Sequence, residues 1–359
     1  MRLDSVQGLK AELLNDLVAP IEAHSASPLK LGKSLAVAFG VPRAGAVRSF
    51  NGMAARPITS VPDLQRSLAL GVAPTAKNEY RLAIRLQRAA LRNSAIVEHL
   101  KHKARGEVDI RMVGRIEKRA KAAAALWYQA NNRPLLIGCS VGHFKVTAGT
   151  LGAFVTRDDG KIYILSNNHV LANENKAARG DAVWQRAHLD GGSSADKVAR
   201  LSHSIALRKS GANLIDASLA EVGSGFKHNP SLLRGLIKGA NRQLNGLGPE
   251  FIDEGETVYK VGRTTGPTKG KVTAFDLDNV VVSYGIGNLR FDGQIEIEGV
   301  GKDAFSDGGD SGSLIVNGKM QAVALLFAGS DIGGSNGAGL TFANPIHPVL
   351  KKLRATLLP

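Results

Sequence analysis

At 359 residues the chain has room for two or three domains, each able to bury a core of its own. With 43% hydrophobic and 21% charged residues it is neither disordered nor fibrous, and its single cysteine, Cys139, excludes an internal disulfide or a cysteine-built zinc cage. The formal charge of +15 is concentrated: residues 1–134 hold 22 Lys/Arg against 10 Asp/Glu, whereas residues 135–359 hold 24 against 21. The basic front third fits contact with nucleic acid, an acidic partner or an anionic membrane surface, or plain solvation of a basic surface, since no aromatic-rich or helix-turn-helix pattern accompanies it.

In chain order, residues 5–21 place Val6, Leu9, Leu13, Leu14 and Leu17 on one helical stripe that Pro20 ends. The charges scattered through the first thirty residues leave no signal-peptide block and no spanning helix, so a soluble, cytoplasmic protein is expected. Residues 34–76 mix a short apolar run, "SLAVAFGV", with turn-rich segments. "YRLAIRLQ" (80–87) alternates with period two, a helix-prone stretch fills 88–104, and "VDIRMVGRI" (108–116) alternates again. Strand, helix, strand predicts a small α/β module. "RIEKRAKAAAALWYQANN" (115–132) reads as a basic, alanine-rich linking helix, with a domain boundary near 133.

Beyond residue 135 the texture changes to short Val/Ile/Leu/Thr-rich segments between Gly, Asn and Asp turns: "KVTAGTLGAFV", "KIYILSNNHVL", "NVVVSYG", "QIEIEGV", "GSLIVNG" and "MQAVALLFAG". Many short strands with such turns predict a sandwich or barrel of mostly antiparallel strands, closed by the helix-prone tail "PIHPVLKKLRATLL".

Within that half, "SDGGDSGSLIV" (306–316) frees the backbone around Ser311 of nearly every side chain. Glycines admit positive φ and close approach, so successive N–H groups can converge on an anion while the serine attacks a carbonyl. Such a serine needs a base. His169 stands at the end of "YILSNNHVL", after an apolar strand and in a polar turn, where an imidazole can face a cleft or simply cap a strand. A carboxylate must orient that imidazole, and Asp216, set among Leu214, Ile215 and Leu219, is expected to be buried unless it is an ordinary turn acid.

The order His169, Asp216, Ser311 is that of the chymotrypsin arrangement. With "SNNHVL", "IDASLAEV", "GDSGS", "YKVGRTTGPTKGKV" (259–272) and "AVALLFAGS" (322–330), residues 136–350 resemble the chymotrypsin-fold, trypsin-like serine peptidases of bacteria. The resemblance implies two antiparallel β-barrels over 134–359, preceded by a smaller α/β module over 1–133. It implies Ser311 as nucleophile, His169 as general base, Asp216 as orienting carboxylate, an oxyanion hole from the N–H groups of Gly309 and Ser311, and a substrate pocket about Phe305, Phe327, Ala328 and Gly329. Phe305 stands where digestive relatives carry the pocket-floor acid, which leaves a preference for Arg or Lys unsupported. Asp310, which in those relatives pairs with a freed N-terminal amine, is expected to find an internal partner here.

Cys139 reads as a small buried hydrophobe. The turn acids Asp158, Asp159, Asp276 and Asp278 make no calcium loop, and "GRTTGPTKG" lacks the P-loop order, so neither metal nor cofactor is expected. The expected activity is serine endopeptidase, on protein or peptide substrates, with the front module regulating or targeting it. Two alternatives remain: a silent peptidase-fold binding module, and a peptidase that cuts itself once within 115–135.

Overall fold

A computed structural model describes residues 1–22 (backbone only for 16–22), 67–76, 78–117, 126–252 and 255–358. The segment "SLAVAFGV" and part of the linking stretch, 118–125, lie outside the described residues.

The second half is mostly β, as expected. Strands Thr257–Gly262, Gly266–Asp278, Gln294–Gly299, Leu340–Pro345, Ala322–Ser330 and Leu314–Asn317 pair antiparallel in that order and return on themselves, closing a six-stranded barrel. Before it lies a half-barrel, an eight-stranded sheet around the antiparallel ladder Ala153–Thr156, Ile162–Ser166, Ser218–Val222, Lys197–Ser204, Ala182–Trp184 and Ser140–His143. Alternation explains the closure. In Thr257–Gly262, Val258 and Lys260 are wholly buried while Thr257 and Tyr259 are only partly so. The C-terminal helix Ile346–Leu353 packs Ile346, Val349, Leu350 and Leu353 into the half-barrel's core, and Thr356–Leu357 adds a last strand to it. Each such aliphatic burial is worth about 1.5–3 kcal/mol.

The N-terminal helix, Leu3–Glu22, brackets the predicted stripe. Strand Glu79–Leu86, helix Ala95–Lys103 and the parallel strand Val108–Met112 form the expected strand-helix-strand unit. The predicted helix over 88–104 is broken, because Arg88 and Ser94 are extended: a 3-10 turn, Ala89–Leu91, comes first, and Ser94 caps the helix proper. This unit is continuous with the closed barrel. Leu68–Ala76 pairs with Glu79–Leu86 on one side and with Gly266–Asp278 on the other. Buried ions pin the seam. Arg85 Nε donates to Glu296 Oε2 at 2.6 Å with both side chains wholly buried, and Lys10 Nζ reaches Asp276 Oδ2 at 2.6 Å and Asp278 Oδ2 at 3.1 Å.

The linking-helix expectation fails at both described ends. Ile116–Glu117 is a strand, pairing antiparallel with Gly329–Ser330 and parallel with Ser283, and Trp127–Gln129 is a 3-10 turn. At Ile116, 1% exposed, burial among Val280, Val282, Tyr284, Phe327 and Ala328 outweighs local helix propensity.

Candidate active site

The half-barrel supplies the acid and the imidazole. Strand Ile162–Ser166 ends in the Asn167–Asn168 turn, which opens a one-turn helix, Asn168–Leu171, carrying His169. Asp216 lies just before the neighbouring strand Ser218–Val222, and the pairing of Ser218 with Ser166 sets the two turns side by side. His169 Nδ1 lies 2.5 Å from Asp216 Oδ2.

The same carboxylate accepts from the Asn168 amide at 2.6 Å, the His169 amide at 3.3 Å and the Tyr284 hydroxyl at 2.6 Å. Asn344 Oδ1 takes the Asp216 amide at 3.0 Å, and Asn167 Nδ2 donates to the Asp216 carbonyl at 2.7 Å. Complete burial pulls the Asp216 carboxyl upward, but the charge and hydrogen bond of His169, with the Tyr284 hydroxyl, hold it below its ordinary range. Burial, together with the Asp216 charge, pushes the Tyr284 phenol well above its own, so it remains a donor. One expectation is corrected in detail: Leu214 is 60% exposed, and the burial of Asp216 comes from these polar partners and from Ile215 and Leu219.

The closed barrel supplies the serine. Its loop is folded by its own backbone. Gly309 and Gly312 take φ of 95° and 92°, and a Cβ on Gly312 would stand 2.0 Å from Ser166 Oγ and 2.4 Å from the Thr150 carbonyl. Any side chain there would push the serine loop off the half-barrel. Ser311 is thereby seated against the strand that leads to His169, with its carbonyl accepting from Thr150 N at 2.8 Å.

Hydrogen bonding along the loop alternates. The Asp310 amide donates to the Asp307 carbonyl and the Gly312 amide to the Leu326 carbonyl, whereas, among the described residues, the amides of Gly309 and Ser311 have no acceptor. Two free donors flanking the serine are what an oxyanion requires. Ser311 Oγ, 7% exposed, lies 3.5 Å from the Phe327 carbonyl and makes no hydrogen bond to His169 in this structure.

Asp310 has the internal partner foreseen for it, and the sequence alone did not reveal which. Its Oδ2 lies 3.1 Å from Lys260 Nζ and accepts from Thr265 Oγ1 at 2.7 Å and Asp307 N at 3.0 Å, while Oδ1 accepts from Thr264 N at 2.7 Å. Burial pulls the Lys260 ammonium below its ordinary value, and Asp310 works against that fall. The Lys260–Asp310 pair, both wholly buried, holds the loop without any freed terminus. Arg263, 1% exposed and paired with Asp190, packs behind Gly309.

Of the residues expected around the substrate, Phe327 and Ala328 are buried on strand Ala322–Ser330, and Gly329 is on its edge facing Glu117. The Phe305 ring is 1% exposed, in the barrel core under Lys260 Nζ at 5.7 Å. Sequence reasoning missed Tyr284 and Lys260. A lysine at an inward position of an apolar strand was the available signal for Lys260. Nothing marked Tyr284 apart from its place at the end of "NVVVSY". Cys139 is buried as expected, its thiol pushed up to about 12 by desolvation. No cluster of metal-ligating side chains occurs among the described residues.

The closed barrel and the half-barrel, with few helices between their strands, make this a chymotrypsin fold. Comparison with known structures finds likeness to bacterial serine proteases of that fold. Protease A of Thermobifida fusca matches at 18% identity over 62% of this chain and 98% of that one, with a TM-score of 0.45. A Nocardiopsis protease matches at 20% over 63% and 99%, TM-score 0.46, and Cellulomonas bogoriensis chymotrypsin at 20% over 62% and 98%, TM-score 0.43. No family model and no curated protein sequence matches the chain.

Proposed function

We propose that the protein is a serine endopeptidase of the cytoplasm, acting on protein or peptide substrates through an acyl-enzyme. The observation that carries this reading is the pair of unbonded amides at Gly309 and Ser311, with the Asp310 amide between them bonded, on the loop packed against the strand that leads to a histidine anchored to a buried aspartate.

This reading requires Ser311 Oγ to reach His169 Nε2 by rotation about χ1. The imidazole takes the hydroxyl proton as Oγ attacks the scissile carbonyl, Asp216 stabilises the imidazolium, and the oxyanion enters the hole. His169 then protonates the leaving amine. Water, deprotonated by the same imidazole, hydrolyses the ester and restores Ser311. Each oxyanion donor supplies on the order of 10²-fold in rate. Regulation or targeting falls to the segment before residue 134, whose basic helix end, an open surface depression lined by Lys101, His102, Lys103 and Arg105 with Glu98, suits an acidic partner or nucleic acid. Among the described residues no helix is long and apolar enough to cross a membrane.

The test is covalent labelling of folded protein with a fluorophosphonate, followed by identification of new N-termini that a wild-type sample generates in a proteome and a Ser311→Ala sample does not. Labelling at Ser311 is expected, with activity falling about 10⁵–10⁶-fold in the alanine variant. A folded protein that neither labels nor cleaves would sink the reading.

A further inference from the structure

The direction in which the free amides of Gly309 and Ser311 point is decided by the carbonyls one residue before them. A trans peptide unit is planar, so its C=O and the N–H that follows point opposite ways, and holding the carbonyl on one side aims the amide to the other. In the unit that joins Asp310 to Ser311, the Asp310 carbonyl accepts twice, from Ser313 N at 2.9 Å and from Ser313 Oγ at 2.6 Å. In the unit between Gly309 and Asp310 both groups are bound: the carbonyl accepts from Thr150 Oγ1 at 2.9 Å, and the amide donates to the Asp307 carbonyl at 3.0 Å. Each of these units is held by two bonds.

The unit between Gly308 and Gly309 is held by one. Its carbonyl accepts from Thr264 Oγ1 and, among the described residues, from no other donor. Glycine on both sides removes the steric barrier that keeps most peptide units from turning over. Thr264 is itself set to donate there. Its hydroxyl oxygen accepts from Arg263 Nη1 at 3.2 Å, and Arg263, 1% exposed, is gripped by Asp190 through Nε at 2.8 Å. A hydroxyl has one proton to give, and with the guanidinium on its oxygen that proton is left for the Gly308 carbonyl. The Thr264 amide donates to Asp310 Oδ1 at 2.7 Å, which fixes its main chain against the same loop.

We infer that Thr264 is a positioning residue for the oxyanion donors: its hydroxyl keeps the Gly308–Gly309 unit turned so that the Gly309 amide faces the oxyanion. The inference rests on the peptidase reading above and adds to it a residue that acts through the main chain without touching the reacting atoms. Remove the hydroxyl and the Gly308 carbonyl, which is buried, loses its partner. An unpaired buried acceptor is costly, and turning the unit over relieves it. One donor then leaves the hole and a carbonyl oxygen enters it, which repels the developing negative charge.

The experiment compares the wild type with Thr264→Val, Thr264→Ala and Thr264→Ser, all folded. Fluorophosphonate labelling at Ser311 seats a phosphoryl oxygen where the oxyanion would lie, so its rate reads the donors without a known substrate. Thr264→Val and Thr264→Ala should label at least about tenfold more slowly, since loss of a whole donor costs on the order of 10²-fold. Thr264→Ser, which keeps the hydroxyl and drops a methyl, should label at close to the wild-type rate. On a peptide copied from a cut site of the wild type, kcat should fall in the two hydroxyl-free variants while KM holds. Wild-type labelling rates in Thr264→Val and Thr264→Ala overturn the inference and spare the peptidase reading. Equal slowing in Thr264→Ser does the same, because it assigns the effect to packing and not to the hydroxyl. A folded wild type that neither labels nor cleaves overturns both.

Discussion

The two barrels hold their shares of the site by different means. In the half-barrel, His169 and Asp216 are fixed by side chains that reach in from outside it: Tyr284, at the end of strand Val280–Tyr284, on the carboxylate, and from the closed barrel Asn344 on the Asp216 amide, with Gln294 behind Asn344 at 2.6 Å. In the closed barrel, Ser311 and its donors are fixed by backbone shape, with one buried ion pair and two threonines behind it. Under the proposed function, the His169–Asp216 half would be the acid-base network, in which the partners tune a charge, and the Ser311 half a scaffold that holds two amides open. Substitutions in the first should change chemistry at constant fold, and those in the second should change fold first.

The largest test of that contrast is Asp216→Asn. An amide in place of the carboxylate favours the wrong imidazole tautomer and cannot stabilise the imidazolium, so kcat should fall about 10⁴-fold with KM little changed. The pH dependence carries a sign. Because the folded-state pKa of Asp216 lies below its ordinary 3.8, its ionised form contributes stability above that pH, and this is lost as pH falls through the folded value. Acid unfolding followed by circular dichroism should therefore be steeper for the wild type than for Asp216→Asn between pH 4 and 2. A variant with matching acid limb and unaltered kcat would remove the acid-base half from the contrast.

Next comes Lys260→Met, on the scaffold side. It strands the Asp310 carboxylate in a site with no solvent access, at a cost of about 3–5 kcal/mol. The expected signature is a lower denaturant midpoint together with weaker labelling at Ser311. Lys260→Met with Asp310→Asn should recover part of both, since no unpaired charge remains. Equal loss in the single and double variants would show that Lys260 acts by packing against Phe305 alone.

Much of this was legible in the sequence, for reasons that follow the same divide. Alternating strands and the three candidate site residues declared themselves because local pattern and residue type carry them: "GDSGS" needs its glycines for φ near 95°, and "SNNHVL" uses the Asn167 side chain and the Asn168 amide to anchor a turn on Asp216. What stayed hidden was long-range pairing. Lys260 and Asp310 are fifty residues apart, and Tyr284 meets Asp216 across 68 positions of sequence. Ile116 is the clearest case. Its neighbours favour helix, and only a surface assembled some two hundred residues later makes it a strand.

Tyr284→Phe gives the finer measurement on the acid-base side. Loss of a hydrogen bond to a buried charge is worth about 1.5–3 kcal/mol, so kcat should fall roughly ten- to hundredfold while KM holds. The acid limb of the pH–stability profile should shift to higher pH as well, because Asp216 loses a group that lowers its pKa and its carboxyl protonates at higher pH. A purely structural role for Tyr284 would lower stability without moving that limb.

The smallest effect probes the joint between the two halves. Cys139 lies in the segment that enters the half-barrel; its neighbour Gly138, at φ 88°, leaves no room for a Cβ against Val261 of the closed barrel. The thiol is wholly buried, and with its pKa near 12 almost none is thiolate at pH 8. A thiol reagent at that pH should therefore leave the folded protein unmodified and react fully once it is unfolded, with Cys139→Ala costing little activity. Because the thiol becomes reachable only when this joint opens, the slow rate of modification under native conditions measures how often the barrels part. If the rate rises in Lys260→Met and not in Tyr284→Phe, the scaffold half carries the joint; an equal rise in both would erase the distinction between the two halves.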